Sequence, residues 1–534
     1  MDGGSCMDLR RARSVSIGIV GAVTLAMSAA SAATAAKRYT VPVVPDYETR
    51  ALFTVGDQVP WLEDPERAYQ MVGIPDGLGA HSNDDVEPAE DQWGEDSATL
   101  YMNHEFGNSI VTEPLIGGPR FRGAYVSQWI LDEDGDPIAG DRAYDDVFNR
   151  DTFVGPAAQD DNTTPAFGRL CSGTLAGPRE GLDRYIYFAG EETAPSVSFD
   201  SSKGGSAVAF FDNEAHVLPD LGHMSWENAV IKRNTGNRTV IMSMEDGPAT
   251  LDNQLWMYVG TKNRRSESVL ERNGLVGGNL YFFRSNDSSR NSEATFEEGS
   301  VTGQWVEISG GGDQPEAALE SQADANNAMT FIRPEDGAFN QKNSNEFFWV
   351  TTGGNDEVNR LGRLYELDLG SGDPSSRPAT LTVVYNADLI TAEGQDIAVS
   401  PDNIGTSGDY LMINEDGTTQ SREWMASRNR DGSIWRFEIG RGTPSIDWED
   451  GERIAELDPP GEYDPTPIGP GVWETSGIID ASNVLSSNGD DDEIRDLWLF
   501  DVQAHQSNPQ NRTQQNEDGQ LMLLWGLDNN DEDD

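Results

Sequence analysis

FGRLCSGTLAGPREGLDRYIYFAGEE, residues 167–192, holds the decisive features of the chain in one short span. Tyr185 to Ala189 is rich in aromatic and β-branched residues and reads as a β-strand, and the acid pair Glu191-Glu192 follows at its end. Upstream lies Cys171. The other cysteine, Cys6, falls in a segment that reads as an export leader, so the mature chain offers Cys171 no intramolecular disulfide partner in an oxidising compartment. Such a thiol is either buried and inert, like any small hydrophobe, or held as a thiolate by a neighbour. Soft sulfur beside hard carboxylates suits a transition metal accompanied by harder cations.

Outward from this stretch the chain repeats one texture. Short runs such as YVSQWIL (125–131), AVAFFD (207–212), TVIMSME (239–245), QLWMYVG (254–260), FFWVTTG (347–353), LTVVYNA (381–387) and DLWLFDV (496–502) are separated by Gly, Asp and Asn. Few intervening stretches carry a helical period, so the fold class is all-β, a propeller or a large sandwich. No repeat of fixed length counts the blades. Residues 285–298 and 309–325 read as exposed loops. Asp76-Gly77 reads as a tight turn. LDEDGDPIAGD, 131–141, reads as a hairpin turn, because glycine and glutamate miss the calcium-loop positions of an EF-hand.

The ends and the charge bound the class. Arg10, Arg11 and Arg13 precede the apolar run Val15–Met27 and Ala30-Ser31-Ala32, which reads as an export signal over 1–36, by a twin-arginine or the general route. Residues 37–525 then form one β domain, with Leu521–Trp525 closing it, and 526–534 form an acidic disordered tail. The expected product is secreted or periplasmic, without a stable membrane anchor, and monomeric. A net charge of −55 with few lysines repels nucleic acid and anionic membranes, and is the surface a salt-adapted protein uses. At ~1 M salt the screening length falls to ~3 Å, so any anion must be captured by groups in contact with it.

Several blocks in a shared order resemble the PhoX-type alkaline phosphatases: IPDGLGAH (74–81), LYMNHEFGNS (100–109), the cysteine stretch, GHMSWENAVI (222–231), SMEDGPATLDNQLWMYVGTK (243–262), MTFIRPEDGAFN (329–340), GQDIAVSPDNI (394–404) and YLMINEDG (410–417). The resemblance covers roughly residues 70–506. The usual Trp-Gly-Thr-rich spacing after the cysteine is replaced by Leu175–Asp183, and a histidine that often precedes the glutamate of the fourth block is Trp226 here.

The resemblance implies a six-bladed propeller and a secreted phosphomonoesterase with an iron and calcium cluster, Fe3+ and Ca2+, acting on small phosphoesters. It makes Cys171 a thiolate bridge and gives Glu192, Glu227, Asp246 and Glu335 as iron or calcium ligands. Arg333 becomes the phosphate fork, since guanidinium matches two phosphate oxygens. Glu105 is a further metal candidate, and Asp402, Asn403, Glu415 and Asp416 are candidate calcium ligands. Catalysis then rests on Arg333, Cys171 and Glu335. Two other classes stay open: a calcium-dependent propeller hydrolase of the phytase, phosphotriesterase or lactonase type, and a non-catalytic calcium-binding secreted propeller.

Overall fold

Six blades of mostly antiparallel strands stand around one axis in the computed structural model, which describes residues 37–85, 97–459, 469–485, 494–505 and 514–528. The segment read as an export signal and the acidic tip beyond residue 528 lie outside the described residues. The innermost strands are Pro75–Ser82, Leu170–Ala176, Trp226–Ile231, Pro334–Phe339, Pro401–Thr406 and Glu474–Asp480. Each packs against the next and the last against the first, which closes a ring. The fold is therefore a β-propeller of six blades.

Within each blade the strands follow one another outward as hairpins, so sequence neighbours are spatial neighbours. Two departures matter. The strand Gly299–Glu307 pairs with the outer strands of both the third and fourth blades, fusing them into one nine-stranded sheet. The sixth blade takes three strands from the end of the chain and its outermost strand, Tyr47–Thr54, from the beginning. That pairing on Asp518–Leu527 ties the two ends together and leaves the ring without a seam. The closing strand runs to Leu527, two residues past the expected end of the domain.

Apolar side chains fill the spaces between blades. Trp129, Trp226, Trp256, Trp349, Trp473 and Trp498 are fully buried, and Trp349 stacks on Tyr365 with ring centroids 4.5 Å apart. Sheet faces that pack on both sides need apolar residues at every position, which is why the runs above read as continuous rather than alternating.

Three sequence readings need correction. Residues 309–325 contain a helix, Glu316–Ala325, built from good helix formers with only Leu319 and Ala323 buried, too narrow an apolar stripe to announce itself. The 285–298 segment carries Glu293, wholly buried and accepting hydrogen bonds from Tyr365, Thr351, Asn359 and the Ile332 amide. Asp76-Gly77 lies inside the first inner strand, not in a turn. The hairpin at 131–141 stands, with Asp132 accepting the amides of Asp134 and Asp136.

Gly77 shows how closely the inner strands approach. A Cβ there would lie 2.2 Å from the Gly173 backbone nitrogen, a clash with no flexible end to yield. Gly77→Ala should lower stability by about 3 kcal/mol or more in urea unfolding. Gly107→Ala, with nothing within 4 Å of its added methyl, should stay within about 0.5 kcal/mol of the parent.

Candidate metal centre

The inner strands share a local irregularity at the end where they enter the ring. Pairing with the second strand of the blade slips between Pro75 and Leu78, Leu170 and Gly173, Trp226 and Ala229, Pro334 and Gly337, Pro401 and Ile404, and Ser476 and Ile478. Such bulges re-aim the side chains that they contain. In the first five blades the first bulged residue is Asp76, Cys171, Glu227, Glu335 and Asp402 in turn. Four of these strands are approached through a residue with positive φ: Ile74 (40°), Arg169 (45°), Arg333 (51°) and Ser400 (46°). Backbone strain of this kind clusters at functional sites and persists because the surroundings over-determine it.

The result is a continuous string of donors. Asp76, Glu105 and Cys171 form one group, Cys171, Glu192 and Glu227 a second, Glu227, Glu335 and Asp402 a third, and Asp402, Asp416 and Glu474 a fourth; within each, the donor atoms lie within 4.8 Å of one another. Each group shares a member with the next. One thiol and eight carboxyl groups thus line one path across the ring.

This arrangement is electrostatically untenable as bare charge. Two carboxylates 4.8 Å apart repel by about 3–4 kcal/mol at an effective dielectric of ~20. Burial and mutual repulsion together push Asp76, Glu192, Glu227, Glu335 and Asp402 well above the usual carboxylate range. Burial first, and then the neighbouring acids, also push the Cys171 thiol up. Cys171 Sγ lies 3.1 Å from Asp76 Oδ2. Glu227 Oε2 and Asp402 Oδ1 are buried with no hydrogen-bond partner at all. Orphaned, crowded anionic oxygens are what cations would satisfy, and the donor set fits them: sulfur at one end, oxygen only at the other.

Hydrogen bonds hold the donors from behind. Ser172 Oγ donates to Glu227 Oε1 (2.5 Å), and Ser476 Oγ donates to Asp76 Oδ1 (2.8 Å). Gln503 donates to both Asp76 Oδ2 and Glu105 Oε2. Thr352 Oγ1 donates to Glu335 Oε1 (2.8 Å).

Two guanidinium groups stand at the rim. Arg333 bridges Asp246 (3.0 Å) and Glu335 (2.9 Å), and Arg169 bridges Glu105 (2.5 Å) and Glu192 (2.6 Å). Both arginines lie two residues before a bulged donor, and both remain partly exposed while the donors beneath are buried. His505 adds a third positive charge, pushed up to about 10 by hydrogen bonds to Glu474 and Glu517 that outweigh its burial.

Residues 211–461 match the family model described as alkaline phosphatase PhoX. Over that stretch the chain is similar to the PhoX family. The solved structure of Pseudomonas fluorescens PhoX in complex with vanadate, a transition state analogue, has the same fold, with a TM-score of 0.61 over 92% of this chain and 97% of that one at 15% identity. No curated protein matches. The match supports an alkaline phosphatase-type phosphoesterase.

Of the residues that the PhoX resemblance named, the fold brings Cys171, Glu192, Glu227, Glu335, Glu105, Asp402 and Asp416 into the string of donors, with Arg333 and Asp246 beside it. Glu415 is a correction. Its carboxylate accepts from both Arg430 nitrogens, the Val399 amide and the Trp435 indole, so it is spent inside the fifth blade. Glu191 likewise turns inward to the amides of Gly168, Phe199 and Ser206. His104 is buried against Ser127 and the Gly73 carbonyl and lowered to about 4 by that burial, so it stays neutral. Asp76 and Arg169 were missed as site residues. The signal existed in the shared pattern of Ile74-Pro75-Asp76, Arg333-Pro334-Glu335 and Ser400-Pro401-Asp402, and in Arg169 standing two residues before Cys171 as Arg333 stands before Glu335.

Metal-stripped protein should show the cost of burying acids directly. Glu474 and Asp336 are each pushed up to about 7, chiefly by burial, against about 4 in the unfolded chain. Folded chains then bind more protons than unfolded ones between these values, so stability is present below pH ~4 and lost as pH rises through ~7. The urea midpoint of the chelated protein should fall across that window, and added divalent cation should flatten the slope.

Proposed function

We propose that this chain is an exported phosphomonoesterase that releases inorganic phosphate from small organic phosphoesters at an iron and calcium cluster. The observation that supports it best is the graded donor string. Cys171 belongs to the two groups at one end, which suits iron, while Glu227, Glu335, Asp402, Asp416 and Glu474 supply oxygen alone, which suits calcium. Bound there, the cations would supply Lewis acidity and offset the charge that spreads over the phosphoryl oxygens in the transition state.

The chain's own residues do the rest. Arg333 is held by Asp246 on one side and Glu335 on the other, which fixes its planar fork before substrate arrives. A phosphate at the rim competes for the donors that face outward, and two parallel hydrogen bonds then orient it. Arg169, fixed by Glu105 and Glu192, offers a second fork from the opposite side of Glu192. Asp76, Asn403, Ser172 and Ser476 form a hydrogen-bonded floor that keeps the donors from collapsing on one another. No Ser-His-Asp set lies here among the described residues: His104 is occupied in the first blade and His505 is held protonated by two acids.

A chromogenic phosphomonoester assayed with and without chelator separates this reading from a non-catalytic propeller, and metal analysis separates it from a calcium-only hydrolase. Cys171→Ala should lose its iron and at least about 10²-fold in turnover together. Purified Cys171→Ala with full iron and full turnover would refute the thiolate role. Arg333→Lys keeps the charge but not the fork, and should lower kcat/KM by about 10–100-fold with metal content unchanged.

A further inference from the structure

Outside the donor string, a second group of oxygens meets where the third blade touches the helix Glu316–Ala325. Glu245 ends the strand Arg238–Glu245 and is buried; its Oε2 accepts the Gln254 amide (3.1 Å) and the Trp256 indole (2.9 Å). The carboxyl group of Glu320, on the helix, lies in hydrogen-bonding contact with that of Glu245. Asp252 and Asp324 add negative charge around Glu320. Among the described residues, the ion pairs nearby join Arg150 and Lys203 to Asp220 and Asp313, and none reaches these four acids.

Gln254 supplies an independent observation. Its side chain is completely buried and hydrogen-bonded to Glu320, and its Oε1 has no hydrogen-bond partner. The amide cannot be turned over to relieve this, because its Nε2 donates to the Asp252 carbonyl at 2.5 Å, where an oxygen would be repelled. Glu320 Oε1 is likewise buried and without a partner. One proton shared between the two glutamates would satisfy a single acceptor and leave the Gln254 oxygen unmatched.

We propose that Glu245, Gln254 and Glu320 form a structural site for a hard divalent cation of the calcium class, separate from the cysteine-containing centre. Two carboxylates and an amide oxygen, with no sulfur or nitrogen donor, are the ligand chemistry such an ion takes. The site pins the helix to the third blade, and it does so at a sensitive place. Glu245 is followed directly by Asp246, which holds Arg333, and the helix leads within a few residues to Arg333 itself. A cation here therefore ties together both chain segments that carry the Asp246–Arg333 pair. The proposal stands independently of the phosphatase reading.

The test counts calcium in the intact protein. Wild type, Glu320→Gln and Gln254→Met are equilibrated with buffered calcium, freed of unbound ion and analysed for calcium and iron. The expected result is one calcium equivalent fewer per chain in both variants, with iron unchanged. Hydrogen exchange in residues 316–325 should slow at least tenfold on adding calcium to wild type and should not respond in the variants. Gln254→Met guards against a helix that is merely loosened by Glu320→Gln. Equal calcium in all three proteins, or a helix whose exchange follows pH and ignores calcium, would overturn the proposal in favour of a shared proton.

Discussion

Mutual repulsion among acids gathered on the propeller axis is the constraint on which everything else rests. Six strands converge there, and five of them deliver a cysteine or a carboxylate at the same bulged position. The ring cannot relax by spreading, because its ends are locked by the strand Tyr47–Thr54 on the strand Asp518–Leu527. Nor can it relax by turning the acids outward, since a bulge fixes the direction of each side chain. Closure thus converts topology into an electrostatic demand: the centre must hold protons or cations.

The same constraint explains the use of small and strained residues nearby. Positive φ at Ile74, Arg169, Arg333 and Ser400 costs each position on the order of 1–3 kcal/mol, and that cost is borne at the rim of the ring rather than dispersed. Below the donors, glycines at 77, 405 and 477 let the inner strands converge, and those at 173 and 337 make room for Tyr187 and Phe347 of their own blades, leaving a channel of about 260 Å³ along the axis. Rigid strands on both sides make the donor positions a property of the fold and not of any flexible loop, which is what preorganised charge stabilisation requires.

Much of this was legible in the sequence, and the failures have physical reasons. Cys171 stood out because a lone sulfur in a chain that reads as exported needs an explanation, and Arg333-Pro334-Glu335 stood out because proline fixes the approach of two opposite charges to one place. Asp76 was lost because Asp-Gly is adequate turn chemistry, and nothing local tells a bulge in a buried strand from a turn at its end. Glu415 was wrongly gained for the converse reason. It ends a strand like its neighbours, but that strand is the second of its blade, and the partner that spends it, Arg430, becomes adjacent only on folding. The blade count was out of reach of periodicity because fused sheets, extra strands and the helix Glu316–Ala325 make every blade a different length.

A chain with a net charge of −55 is a poor receiver for an anion at long range, and the arrangement of its arginines would resolve the difficulty for the proposed phosphoester substrate. Long-range steering would work against a phosphoester in dilute salt, whereas in concentrated salt the field dies within a few ångströms and neither helps nor hinders. Capture must then occur at contact, where a guanidinium fork gains two charge-assisted hydrogen bonds that salt screens far less once they are partly buried. Arg169 and Arg333 meet that need because each is already oriented by two carboxylates of the donor string. The acids that make the surface repellent are of the same kind as those that make the centre; the difference lies in burial, which turns a solvated negative charge into one that must be met by protons or cations.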